Sequence, residues 1–339
     1  MINESIDFGL DDGEAYEPAD IPEPVDLDRP HVMTVLGPIR PDSLGVTLHH
    51  EHLICKPGRV GVTDPDLFLD DAALALAELE DAFQVGLRAI VDMTPADYGR
   101  EVDEVHWIAQ RSPVHIVIVT GHHKDRFSAT FPGMASVPEI AERMLGELRD
   151  GIGQSGVRAG VIKVSTSLDQ ISEVEARVLE AAAIAHRSTG APISTHTEKG
   201  TMALEQVARL GHHGVEPNRI IVGHLDFVLE EPYLTDVLET GAFISFDQVS
   251  KEKYGSDADR AQMLYRLAEL GFFDQLLFSG DLARRSYHRA YGGEPGFRYL
   301  VERFPLALMD AGFEAIDVRR LLVGNPAKAL TVQPVNQLV

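Results

Sequence analysis

A His-His-Glu-His run at positions 49–52 sets His50 and His52 two residues apart. On a β-strand, side chains at i and i+2 point to the same face. Two imidazoles brought together in this way suit a transition metal. A lone H-x-H is as easily a pair of packed or surface histidines, but other positions add weight. Ser194-Thr195-His196, Val222-Gly223-His224 and Ser279-Gly280-Asp281 each end an apolar run in a metal-ligating residue type. Lys163 sits inside another such run, Ile162-Lys163-Val164. A charged group on a buried strand is costly unless it is paired or bound to metal. An ion pair with an acid is the structural alternative for Lys163. Otherwise four histidines, one aspartate and one lysine make a set of chemically active side chains whose imidazoles suit a metal ion.

The positions of these residues depend on the elements that carry them. Short apolar runs occur at 46–52, 88–93, 115–120, 160–164, 192–196, 220–224, 242–246 and 275–279. Most are rich in Val and Ile and bounded by Gly, Pro or Asp, as strands are. Amphipathic stretches at 71–85, 101–111, 137–151, 173–188, 202–212, 233–240, 257–271 and 296–311 separate and follow them. Eight strands each followed by a helix predict an α/β protein of the (β/α)8 TIM-barrel type. In that architecture active sites lie at the C-terminal ends of the strands, where the His, Lys and Asp residues fall. A doubly wound open sheet would need a glycine-rich phosphate loop after its first strand, and HHEHLICKPG contains none. Residues 32–43 predict a small strand pair, and 316–330 a closing helix broken at Asn325-Pro326.

The chain has 339 residues, 44% of them hydrophobic, enough for a large core. Its formal net charge is −23. Such acidity repels phosphate backbones and anionic lipid, which argues against nucleic-acid and membrane partners. Residues 1–28 hold ten carboxylates and no Lys or Arg. The expected division is an acidic, flexible tail over 1–30 and a single barrel domain over 31–339. No apolar run approaches the ~18–20 residues of a membrane span. The N-terminus lacks the basic and apolar regions of a secretory signal. The single cysteine, Cys55, excludes a disulfide framework and a zinc ribbon. A cytoplasmic location is therefore expected. Cys55 and Trp107 read as core residues, and His49 as pointing opposite to His50, either packed or facing solvent.

The ordered series H-x-H, Lys, His, His, Asp on strands one, four, five, six and eight resembles the amidohydrolase superfamily. LGPIRPDSLGVTLHHEHL, GAPISTHTEKGTMALEQ and IVGHLDF resemble its phosphotriesterase-like branch over roughly residues 33–330. The resemblance implies two divalent metal ions, zinc foremost, with manganese, cobalt or iron as other candidates. His50, His52 and Asp281 would hold one ion, and His196 and His224 the other. Lys163, carboxylated by CO2, would bridge both through its carbamate, and a hydroxide would bridge as nucleophile. Asp281 would take the nucleophile's proton and pass it to the leaving group. Relatives of this kind are often homodimers.

The substrate loops follow strands two, three, seven and eight. His123 falls where the lactonase branch often has a Tyr, so it could bond to the hydroxide or line the wall. Gln248 falls where paraoxon- and homoserine-lactone-cleaving relatives tend to carry His or Arg, a departure that weakens those assignments. Lys253, Arg284, Arg285 and Tyr287 form a basic cluster in an acidic protein. Phosphate groups are commonly bound at this end of TIM barrels. Lys253, Arg284 and Tyr287 match the branch that hydrolyses phosphorylated sugar lactones. Salt bridges to nearby carboxylates are the plain alternative for these cations. The expected activity is a metal-dependent lactonase acting on a small anionic, phosphorylated sugar lactone. The rivals are a phosphotriester or N-acyl-homoserine lactone hydrolase and, in another class, a non-catalytic anion-binding barrel.

Overall fold

The computed structural model describes residues 25–58, 64–127, 131 and 133–335. The acidic segment expected to be a tail lies outside the described residues up to position 24. The first elements are an antiparallel pair, β1 (Val32–Thr34) and β2 (Gly37–Ile39), with Val32 opposite Ile39. Gly37, at φ +124°, makes the turn between them.

Eight parallel strands follow: β3 (Thr47–Glu51), β4 (Ala89–Asp92), β5 (His115–Gly121), β6 (Val161–Ser165), β7 (Ile193–His196), β8 (Ile220–Gly223), β9 (Phe243–Phe246) and β10 (Leu276–Phe278). Their order in the sheet is their order in sequence. Helices α1 (Ala72–Phe83), α2 (Val102–Ala109), α3 (Val137–Arg149), α4 (Glu173–Thr189), α5 (Ala203–His212), α6 (Glu231–Glu239) and α7 (Asp257–Leu267) cross over between successive strands. This is the (β/α)8 barrel expected from the strand–helix alternation. Beyond β10 run α8 (Phe297–Glu302), α9 (Phe304–Ala311), α10 (Ala315–Arg319) and α11 (Asn325–Leu330). The single helix expected over 296–311 is two, because Pro305 lacks the N–H that would continue α8 and instead sits in the first turn of α9.

Strand residues alternate between two apolar layers. Ala89, Val91, Val117, Val119, Val161, Ile221, Phe243 and Leu277 fill the barrel interior, and Val32, Ile39 and Leu330 close its lower end. Ile90, Ile116, Ile118, Ile162, Val164, Ile193, Val222 and Ile244 face the helices. Lys163, two residues after Val161, therefore points inward. Trp107 is not core: it is 38% exposed beneath the Arg111 guanidinium, whose centre is 4.2 Å from the ring. The buried face of α2 is Val105, Ile108 and Ala109, and position 107 lies off that stripe.

The seam between β10 and β3 is closed by a side chain. Glu51 is fully buried and accepts from the Ser279 hydroxyl at 2.6 Å and from the N–H groups of Gly280 at 2.5 Å and Leu282 at 2.8 Å. The Asp281 N–H donates to the His50 carbonyl at 3.0 Å. Register between β3 and β4 shifts between Leu48 and Glu51. Such an irregularity re-aims side chains. His49 accordingly does not turn out to solvent: it is buried, with Nε2 2.8 Å from the Ser245 hydroxyl. Among the described residues no helix is long and apolar enough to cross a membrane.

Candidate metal centre

His50 and His52, at the end of β3, meet Asp281, three residues past β10, across the seam. Asp281 Oδ1 lies 3.2 Å from His52 Nε2 and 3.9 Å from His50 Nε2. These three side chains offer ligand atoms within 4.8 Å of one another. From β6, Lys163 Nζ comes to 3.2 Å from His50 Nε2. His196 ends β7 and His224 follows β8, and His196 Nδ1 and His224 Nε2 face each other at 2.7 Å. The six residues expected as metal ligands thus gather at one mouth of the barrel.

Donor chemistry fits divalent ions. The outer nitrogens of three histidines are engaged elsewhere, leaving the inner ones for an ion. His52 Nδ1 is 2.7 Å from the Thr94 hydroxyl, His224 Nδ1 is 2.5 Å from Asp247 Oδ1, and His196 Nε2 is 3.1 Å from Glu198 Oε2. Burial also keeps His50 and His196 neutral, the form that binds metal. It pushes the His50 pKa down to about 3 and holds His123 and His196 well below the usual histidine value. Burial drives Lys163 down to about 8, against the opposing pull of Asp281 and Asp247. An amine so placed is unprotonated for part of the time at neutral pH. For Asp281, burial alone would raise the pKa. The Lys251 cation and the bond to His52 outweigh it and hold the carboxyl well below its ordinary value.

The ligands form the floor of a cavity of about 490 Å³. Lys124, Arg126, Lys199, Lys251 and Arg284 line it, beside Tyr98, Phe127 and Tyr287. His123 is in the wall. Its Nδ1 is 3.1 Å from the Ser165 hydroxyl, and its ring stacks on Phe127 with centroids 4.6 Å apart. Gln248 Nε2 lies 3.1 Å from Asp281 Oδ2. Arg284 reaches the cavity but also pairs with Asp64 at 2.6 Å and Asp66 at 3.5 Å. Tyr287 faces the cavity, and Lys253 stands behind it on the exposed rim, with Nζ 2.7 Å from the Tyr287 hydroxyl. Arg285 is not brought to the cavity. It bonds to the Phe68 carbonyl and pairs with Asp70.

Three groups close to the centre were not anticipated from sequence. Asp247 meets His224 through Oδ1 and His50 Nδ1 through Oδ2 at 3.2 Å. Its signal was an Asp directly after an apolar strand, as Asp281 follows another at a distance of three residues. Glu198 orients His196 and pairs with Lys124. Lys251, 6% exposed, contacts Asp281, whereas Lys253 two residues on is exposed. Nothing local in Ser-Lys-Glu-Lys-Tyr tells the two lysines apart.

Comparison with known proteins agrees with this geometry. The phosphotriesterase homology protein of Escherichia coli is 35% identical over 288 residues, covering 85% of this chain and 98% of that protein. A phospho-furanose lactonase of Mycoplasmopsis agalactiae is 33% identical over 320 residues, covering 88% of this chain and 91% of its own. The crystal structure of a lactonase from Listeria monocytogenes superposes with a TM-score of 0.86 at 32% identity, covering 89% of this chain and 99% of that one. With residues 30–330 matching the model of the phosphotriesterase family, the chain belongs to that family.

Proposed function

We propose that the protein is a binuclear-metal-dependent hydrolase that opens a small phosphorylated sugar lactone. The observation that carries this reading is the convergence of four histidines, Asp281 and Lys163 beneath a wall of cations in a chain of net charge −23. His50, His52 and Asp281 are assigned to one divalent ion and His196 and His224 to the other. Lys163, as its carbamate, is assigned to both. Zinc suits this nitrogen and oxygen donor set, as do manganese, cobalt and iron. When bound, the ions supply Lewis acidity and bring the pKa of water down from ~15.7 towards neutrality.

The chain's own residues supply the rest. Asp281 takes the proton of the attacking water. As the new C–O bond forms and the ring C–O bond breaks, it returns that proton to the departing alkoxide, leaving a hydroxy acid. Arg284 and Tyr287 face the cavity from the loop after β10 and hold the phosphate, a forked cation beside a hydroxyl donor. Fixing the phosphate fixes the ring against the reacting groups. The names of the lactonase relatives support this substrate class. A phosphotriester or acyl-homoserine lactone, which are uncharged, makes no use of the cationic wall. A non-catalytic anion binder makes no use of the six converging ligand groups.

The test is an assay of the metal-reconstituted protein on one pentono-1,4-lactone, bare and 5-phosphorylated. A preference for the phosphorylated form supports the reading. Equal rates, or turnover of apolar esters only, refute the phosphate site.

A further inference from the structure

Lys251 was not among the residues expected to act, yet among the described residues no other side-chain nitrogen is tied to Asp281 at two points. Its Nζ lies 2.7 Å from the Asp281 carbonyl, 3.2 Å from Asp281 Oδ2 and 2.9 Å from Gln248 Oε1. An ammonium has three N–H donors. All three are directed at protein acceptors, so none is left over for a ligand.

Asp281 itself needs holding. Its φ is +46°, the left-handed region, which an aspartate tolerates at some cost and keeps only when its surroundings impose it. The surroundings do so at each end of the residue. The N–H is bonded to the His50 carbonyl, and the carbonyl and Oδ2 to Lys251. The result splits the carboxylate. Oδ1 faces His52 and His50, while Oδ2 faces away towards Lys251 and Gln248.

Lys251 is in turn held from behind. Its carbonyl accepts from Tyr254 N–H at 2.9 Å and from Arg260 at 3.5 Å. Arg260 is fully buried and paired with Asp226 at 2.8 Å and Asp257 at 3.1 Å. Asp226 also accepts the N–H groups of Asp247 and Gln248. A buried ion-pair network thus connects α7 to the loop that presents Lys251.

We propose that Lys251 is a positioning residue: it clamps Asp281 through the carbonyl and Oδ2, so that Oδ1 is presented to the metal ligands His50 and His52. It is not a subsite for the substrate's anionic group. The proposal rests on the metal-hydrolase reading above, and two of its tests do not require a substrate. Lys251→Met keeps the stem and removes the donors. In the metal-loaded protein it should speed loss of one of the two ions to a chelator by about 10–100-fold, the usual effect of losing an outer partner of a ligand. A crystal structure of the metal-free variant should show the Asp281 carboxylate turned from its present orientation. On a turned-over lactone kcat should fall by a similar factor with KM within about twofold, and Lys251→Arg should recover most of it. If Lys251→Met does not fold, Lys251→Gln, which keeps one donor, is judged by the same measurements. Unchanged ion retention with unchanged Asp281 geometry overturns the proposal. So does a raised KM with kcat intact, which would make Lys251 a substrate contact. Failure of the lactone assay with faster ion loss would count against the substrate assignment and leave the clamp standing.

Discussion

Asp247 Oδ1 meets Nδ1 of His224 at 2.5 Å in the fully buried floor of the barrel mouth. The same carboxylate reaches His50 Nδ1 through Oδ2 at 3.2 Å. A single side chain thereby fixes the ring orientation of one histidine from each proposed ion position. Burial works against its ionisation, and the two histidines hold its pKa well below the usual carboxylate value all the same. Asp247→Ala removes both acceptors, so neither ring N–H is held in place. Ion affinity should fall about 10–100-fold at both positions, not one. Metal content after stepwise dialysis against a chelator checks this. Loss confined to one ion per chain would refute the shared role.

Lys163 should need CO2 before the second ion binds tightly. Burial brings its pKa to about 8, so a free amine is available to add CO2 near neutral pH. Metal-free protein reconstituted in CO2-free buffer should load slowly and recover with bicarbonate. Lys163→Met should lose the bicarbonate effect altogether. Loading that ignores bicarbonate would return Lys163 to a simple buried cation.

Arg284→Ala separates the two readings of the basic loop. The side chain is about a third exposed and paired with Asp64 and Asp66. Exposed pairs of this kind contribute ~0–1 kcal/mol, so thermal stability should hardly change. A charge-assisted bond to phosphate is worth about 1.5–3 kcal/mol, so KM for a phosphorylated lactone should rise about 10–100-fold. The bare lactone should be unaffected. A stability loss with no change in KM would mean that the carboxylates are its only partners.

The barrel and its ligand face were legible because strands covered on both sides read as uninterrupted apolar runs. A His, Lys or Asp breaking such a run is conspicuous, as Lys163 is between Ile162 and Val164. The groups that hold the ligands were not legible, for a physical reason. Glu51 sits between two metal-ligand candidates, and only the closed seam reveals that it accepts three donors from the far strand's loop. Lys251 and Lys253 share one local sequence, and only packing buries the first and exposes the second. The register shift in β3 that turns His49 inward leaves no mark in a period-two pattern.

His288 should make the fold sensitive to mild acid. It is buried beneath the substrate loop, with Nε2 2.7 Å from the Leu282 carbonyl and its ring edge-on to Phe297. Burial lowers its pKa from 6.5 to about 4. The folded protein therefore resists a proton that the unfolded chain accepts as pH falls below 6.5. Its contribution is complete above pH 6.5 and lost progressively down to pH 4, worth roughly 3 kcal/mol over that interval. Glu51 acts in the opposite direction. Its pKa is raised to about 7 by burial, so its neutral form favours the fold at low pH and that contribution fades between 4.5 and 7. The wild-type profile mixes both, and only a difference between variants isolates His288. Urea unfolding of metal-free wild type and His288→Gln at pH 8 and pH 5 provides that difference. The variant should be less stable at pH 8, where the ring's packing against Phe297 is lost, and the gap should shrink or reverse at pH 5. A gap that stays constant across the two pH values would mean that His288 does not titrate in the fold as its burial dictates.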